Sequence, residues 1–315
     1  MENYVFPGLF VSGMDIAAVP LDVKERKSME KEIVGLPTGF KALDEKLGGL
    51  RKGEVVVIAS RPSVGKTSLA MNISECLSLG HDINGIPFVG KSEGRHAVLY
   101  FSLEMSSASF TKRMLCSRAH INAWHLERDV IDEAESAAVK VAVADAANEM
   151  VQARLYVEDT ANLDIEELCK KAKSMKRDNG IELVVVDYLQ LCNSKIASEG
   201  GRKSELSHVF AHLKLMAKEL MVPVVVLVQL FKQIDRDKLP TLSDLRDVAV
   251  IEENADIVMF LRRIPPYYDS EIKASEEDVA ILDIAKNRKG ETGEVKMTFS
   301  REFMRFGNVI EGREG

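Results

Sequence analysis

The residues best placed to do chemistry lie in EVVVIASRPSVGKTSL, residues 54–69, where Gly65, Lys66 and Thr67 close a G-x-x-x-x-G-K-[ST] pattern. Ser60 stands where the first glycine of that pattern is expected, so only its end is matched in full. The flanks supply the context. Val55, Val56, Val57 and Ile58 form a buried-strand run, and Ser68-Leu69-Ala70-Met71 opens a helix. Backbone N–H groups along Ser63, Val64, Gly65, Lys66, Thr67 and Ser68 would then wrap phosphate oxygens, with the positive end of the helix dipole behind them. Lys66 would reach the outer phosphates and the Thr67 hydroxyl would ligate Mg²⁺. The bland alternative is a strand–turn–helix with a chance Gly-Lys-Thr.

Phosphoryl transfer also needs a metal anchor, a water activator and charge neutralisation at the γ-phosphate. Asp187 ends the apolar run Leu183–Val186, as a Walker B carboxylate does; a strand-terminal Asp capping a turn would read the same. Glu104 follows the run Tyr100–Leu103. Beside the P-loop strand, at the sheet end where α/β ligands bind, it could polarise an attacking water, or it could simply start the next helix. Gln229 ends a third run, VPVVVLVQ, where a neutral amide can sense the γ-phosphate. Lys286 and Arg288 are two apart on an expected strand and so share a face. They suit a phosphate held by a neighbouring subunit, or else form a solvated pair beside the Gly290 turn. His208 and His212 have metal-ligand spacing on a helix, but without a third ligand they read as an ordinary helix face.

These residues need a scaffold, and strand and helix patterns alternate after residue 54. Strands are expected at 97–105, 154–159, 182–191, 222–230, 255–263, 279–290 and 294–300, with helices at 106–119, 132–153, 164–178 and 203–220. Continuous apolar runs mean strands covered on both faces. The fold class is therefore α/β, with a mostly parallel central sheet that ends in antiparallel strands. Residues 1–32 read as an extended arm and a charged linker helix (21–32), and 33–311 as one ATPase-sized domain; 81–95 reads as a surface insertion. The glycines and prolines between Pro37 and Gly53 read as punctuation before the first strand, and Trp124 as a packing residue.

Net charge is −7 over 315 residues, so contact with a polyanion must come from local basic patches. The loop 192–203, with Lys195, Arg202 and Lys203, is one such patch; a solvated loop would look the same. Four dispersed cysteines without a C-x-x-C pair argue against a zinc site or a disulfide framework. The chain has no 18-residue apolar run and no basic leader at its start, which makes a cytoplasmic protein away from membranes the expectation.

RPSVGKTS, FSLEM, VVVDYLQL, KELMVPVVVLVQL, DLRD…IEENADIVMFL and AKNRKGETGEVKMTF resemble, in order, the RecA-like ATPase domain of bacterial replicative DNA helicases, the DnaB family. The resemblance covers roughly residues 33–308. It implies ATP and Mg²⁺ as ligands, Lys66 and Thr67 on phosphate and metal, Glu104 as catalytic base and Asp187 as Walker B. It adds Arg113 as a nucleotide contact, Gln229 as γ-phosphate relay, and Lys286 with Arg288 as a finger supplied in trans. It also implies a homo-hexameric ring on single-stranded DNA, a primase or helicase loader as partner, and DNA-facing loops near 195–203 and 244–250, the latter with Arg246, Asp247 and Ala249. Ala249 departs from the family's usual glycine, which would allow closer backbone approach. The family's helical N-terminal domain has no counterpart in the 32 residues before the match, so a short natural form or a trimmed ATPase domain is expected. The competing readings are a RecA-fold ATPase of recombination or signalling type without unwinding, and a module that holds nucleotide without turnover. The base at Glu104 argues against the last.

Overall fold

A computed structural model of the chain describes residues 33–90, 93–122, 133–195, 200–230, 240–264 and 277–309. The expected arm and helix of 1–32, Trp124, residues 196–199 of the basic loop and the last residues of the expected domain lie outside them.

Four valine-rich runs make the centre of the sheet: β1 (Val55–Ser60), β2 (Val98–Ser102), then, after β3 (Leu155–Glu158), β4 (Leu183–Asp187) and β5 (Val224–Gln229). Every residue of β1, β2 and β4 is buried, and in β5 all but Gln229. Alternation splits each strand between two cores. Val55, Val57 and Ala59 join a layer formed with helices Ile165–Asn179 and Gly201–Leu220, whereas Val56 and Ile58 join one formed with Lys66–Leu79 and Ser107–Ala119. Both faces of the sheet are therefore covered, which is why the runs carry no polar alternation.

The helices, in chain order, are α1 (Lys41–Leu47), α2 (Lys66–Leu79), α3 (Ser107–Ala119), α4 (Glu133–Met150), α5 (Ile165–Asn179), α6 (Gly201–Leu220) and α7 (Ala249–Asn254). The remaining strands are β6 (Ile257–Ile264), β7 (Glu277–Asn287), β8 (Gly293–Ser300) and β9 (Arg305–Asn308). Among the described residues, nine strands form one sheet in the order β3-β2-β4-β5-β1-β6-β7-β8-β9. Pairing is parallel from β3 to β6 and antiparallel from β6 to β9, as expected from the sequence.

Three local expectations are corrected. The strand expected over 182–191 stops at Asp187; Leu189–Leu191 is a single 3-10 turn entered through a cis peptide between Asp187 and Tyr188. The glycine-rich lead-in to β1 contains the short helix α1, ended by Gly48 at φ 68°. A further strand, β9, pairs with β8. Within the expected insertion, the described residues 81–90 and 93–95 are largely exposed, and Asp82 turns the chain there, its Oδ1 accepting from the Asn84 and Ile86 amides. Among the described residues, no helix is long and apolar enough to cross a membrane.

Candidate functional site

β1 delivers the chain from the buried Ser60 into a loop that turns at Ser63 (φ 63°) and Gly65 (φ 115°) before α2 begins at Lys66. Gly65 is required on two counts. Its backbone is left-handed, and a Cβ there would meet the Phe306 ring at 3.2 Å. No side chain caps α2 at Gly65, and its first turn holds no acid, so the dipole's positive end is left for an anion. Arg263 of β6 braces the loop by donating to the Ser63 carbonyl at 2.7 Å. Lys66 is buried, with its Nζ 4.9 Å from the centre of the Tyr188 ring.

Asp187 ends β4 and is 2% exposed. The Tyr100 hydroxyl donates to its Oδ2 at 2.8 Å, while its buried Oδ1 has no hydrogen-bond partner. Burial raises the Asp187 carboxyl above its ordinary range, against the pull of Tyr100, Thr67 and Lys66. A half-satisfied buried carboxylate beside a hydroxyl and an ammonium is a poor packing solution and a good cation seat. The Thr67 and Asp187 oxygens are the hard donors Mg²⁺ takes, so the residues fit that ion.

Glu104 lies two residues past Ser102, which pairs with Asp187, and is exposed at the same sheet end. Burial pushes the pKa values of Asp187 and Tyr188 up, and the Glu104 charge adds to both. It does not start the next helix: Ser106 caps α3, accepting from the Ser109 amide. The expectation that its strand neighbours β1 is corrected, because β4 and β5 lie between them. Chain order carries no information about that crossover.

Gln229 does lie beside the P-loop strand, in register with Ser60. Its main chain is held on the other side by Gln190, whose Nε2 donates to the Gln229 carbonyl at 2.8 Å and whose Oε1 accepts from its amide at 3.2 Å. The Gln190 amide thus extends the ladder where β4 has ended. Arg113, half-buried on α3, faces α2 across a narrow gap shared with Ser68 and Asn72. Burial lifts the Tyr100 phenol well above its ordinary pKa, and the Arg113 charge pulls against that rise.

Lys286 and Arg288 are together, but far from that loop. Lys286 Nζ donates to the carbonyls of Glu252 and Glu253, and Arg288 donates to that of Glu253, so the pair sits on the negative end of α7. Asn287 pairs with Ile257, which is level with Val56. Ser60 lies four residues further along β1, roughly 13 Å at ~3.3 Å per residue, so the pair occupies the opposite end of the sheet from its own P-loop.

The basic patches are less uniform than the sequence suggests. Lys195, Arg202 and Lys203 are all exposed, but Arg202 also donates to Glu205 and to the carbonyls of Gln190 and Cys192. The loop expected at 244–250 is a 3-10 helix, Leu242–Val248, containing Arg246 and Asp247, followed directly by α7 from Ala249. His208 bonds Ser194 and His212 bonds the His208 carbonyl; no metal cluster occurs among the described residues. Tyr100, Tyr188, Gln190 and Arg263 carry no signal in the sequence. Each sits inside or beside an apolar run, where a polar side chain looks incidental.

The model of the DnaB-like helicase C terminal domain matches residues 35–308. The replicative DNA helicase DnaC of Bacillus subtilis (strain 168) is 33% identical over 290 residues, covering 91% of this chain and 60% of that protein. The replicative DNA helicase DnaB of Geobacillus stearothermophilus is 33% identical over 305 residues, covering 96% and 63%. The chain thus spans about three fifths of the length of these curated relatives. Among solved structures, a DnaB-like replicative helicase, described with its interactions with primase, superposes with a TM-score of 0.74 at 33% identity, covering 89% of this chain and 63% of that one. A second solved structure, described as an ATPase domain, gives 0.76 at 32% identity, covering 89% and 93%.

Proposed function

The chain belongs to the DnaB-like helicase C-terminal domain family, and from that premise we propose that it is an ATP-hydrolysing, ring-forming helicase that moves on single-stranded DNA and unwinds duplex. The observation that carries the reading is the buried, half-satisfied Asp187 carboxylate facing Thr67 and Lys66 at an uncapped helix start. Phosphates are held by the amides of Ser63 to Ser68 and by Lys66, with Arg113 beside them across the α2–α3 gap. Thr67 and Asp187 would hold Mg²⁺, which would supply charge neutralisation on the nucleotide phosphates. Glu104 takes the proton of the attacking water, and Gln229, in register with the end of β1, senses the γ-phosphate.

Lys286 and Arg288 serve the ATP of the adjacent protomer. Their place at the far end of the sheet supports this, since they cannot reach their own P-loop without refolding the strands between. That arrangement requires a closed ring, for which a homo-hexamer is proposed. The proposed DNA contacts are Lys195, Arg202 and Lys203 with Arg246, Asp247 and Ala249, arranged toward the ring's channel. A primase or helicase loader is the proposed protein partner, and the cytoplasm the proposed setting.

Unwinding of a forked duplex by the purified chain, with ATP and Mg²⁺, tests the reading, with Lys66→Ala as the dead control. ATP turnover without strand separation would favour a RecA-fold ATPase of another class, a reading to which the charge of −7 lends weight.

A further inference from the structure

Asp256 is a buried carboxylate, 7% exposed, in the bend between α7 and β6. Its Oδ2 accepts from the Val55 amide at 2.7 Å and from Lys214 of α6. Its Oδ1 faces Arg288 at 3.7 Å, and its carbonyl accepts from the Arg288 amide at 3.0 Å. One residue therefore joins the start of the P-loop strand, the helix that follows the basic loop, and the end of β7. Arg288 has a second anchor, the Glu253 carbonyl, but among the described residues Asp256 is the carboxylate with which it forms an ion pair. The Arg288 side chain stays 47% exposed, so a phosphate from outside can still reach it.

We propose that Asp256 is a positioning residue for the Arg288 finger: Oδ2 is committed to Val55 and Lys214, and Oδ1 holds the guanidinium at the subunit edge, aimed at the neighbour's γ-phosphate. This rests on the trans reading above. Asn at this position tests the charge with little change of shape. Its single oxygen stays with the two donors on the Oδ2 side, which turns its NH₂ toward Arg288, donor against donor. A misplaced finger then costs rate, since a shift of about 1 Å in a positioned group can cost on the order of 10²-fold.

Asp256→Asn rings are expected to turn over ATP about 10–100-fold more slowly, with the KM for ATP little changed. The discriminating measurement is subunit mixing. Asp256→Asn mixed with Lys66→Ala should regain turnover, because an intact finger from one protomer meets an intact P-loop of the other. Asp256→Asn mixed with Arg288→Ala should not, since neither protomer presents a working finger. A purely structural defect would travel with the mutated protomer's own ATP site, and Lys66→Ala would not rescue it. Wild-type turnover by Asp256→Asn, or failure of that rescue while Arg288→Ala with Lys66→Ala does recover, would overturn the proposal. If the Arg288→Ala and Lys66→Ala mixture itself stays dead with subunits exchanging, the trans reading has failed, and this inference with it. Should Asp256→Asn not assemble, Asp256→Glu carries the same mixtures: it keeps the charge for Lys214, while its extra methylene displaces Arg288.

Discussion

The proposed roles of Lys66 and Glu104 are ones that two substitutions separate. Lys66 is buried at the loop, and in the proposed role it touches phosphate in ground and transition states alike, so Lys66→Ala should abolish turnover and weaken nucleotide binding. Glu104 is exposed two residues past Ser102, which pairs with Asp187, and its proposed role is to activate water rather than to hold phosphate. Glu104→Gln should therefore bind ATP as the parent does while hydrolysing it about 10²–10⁴-fold more slowly. Single-turnover hydrolysis alongside a nucleotide-binding titration checks both. Hydrolysis by Glu104→Gln at the parent rate would move the base elsewhere. Burial holds the Asp187 carboxyl above its ordinary range, so a cation bound beside it would favour its charged form.

Among the elements, α2 carries the phosphate loop and is fixed from the far edge of the sheet. Arg305 of β9 donates through both terminal nitrogens to Glu75, at 2.9 and 3.0 Å, and Arg118 of α3 reaches the same carboxylate at 2.7 Å. Burial would raise the Glu75 pKa, but the two guanidinium groups outweigh it and hold the group below its ordinary range. A depressed carboxylate stabilises the fold above its unfolded pKa and loses that contribution as pH falls through the folded one. Arg305→Leu leaves the buried Glu75 with Arg118 alone. It should cost less than the about 3–5 kcal/mol typical of a wholly unpaired buried charge, and should lower the Tm at neutral pH. An unchanged Tm would mean that β9 is not a staple.

Asp44 in α1 has the opposite sign. Burial lifts its pKa from 3.8 to about 7 despite the Thr38 amide donating to it at 2.7 Å. Between those values the folded state holds a proton the unfolded state has lost, so stability declines as pH rises across that window, at about 1.4 kcal/mol per unit. Asp44→Asn should flatten that decline in denaturant titrations from about pH 4 to 7; an unaltered slope would contradict the assignment.

These two devices also mark what could be read from the chain. β1, β2, β4 and β5 were legible because a strand buried on both faces must be continuously apolar; Asp187 and Gln229 stand out as candidates because they end such runs, and Lys66 because it closes a Gly-Lys-Thr pattern at a helix start. The Arg305–Glu75 pair, 230 residues apart, was not, nor was α1, whose seven residues are bracketed by glycines. YLQL read as strand because it is as apolar as strand. The carboxamide of Gln190 takes over the ladder there, a substitution that no periodicity reveals. The misplaced neighbour of β1 has the same origin, since sheet order is set by helix crossovers and not by sequence order.

For the whole molecule, the deciding balance is between a net charge of −7 and a few basic groups in two short segments of each protomer. Binding to single strands should be weak per protomer, little dependent on sequence, and steep in salt once a ring sums the contacts. Each neutralised phosphate adds about 0.7 to the log–log salt slope on a single strand, which makes the two basic residues at the start of α6 separable. Lys203 is exposed, so Lys203→Ala should reduce the slope by about 0.7 for each protomer engaged. Arg202 also donates to Glu205 and to the carbonyls of Gln190 and Cys192, so Arg202→Ala should reduce the slope less than Lys203→Ala does. Its effect should fall on the stability of the turn that holds Gln229. Fluorescence titrations with an oligo-dT strand at several salt concentrations, with a non-hydrolysable ATP analogue present, measure both slopes. A larger change for Arg202→Ala than for Lys203→Ala would mean that Arg202 leaves its internal partners when DNA arrives. Absence of binding by an assembled ring would favour the ATPase that does not unwind.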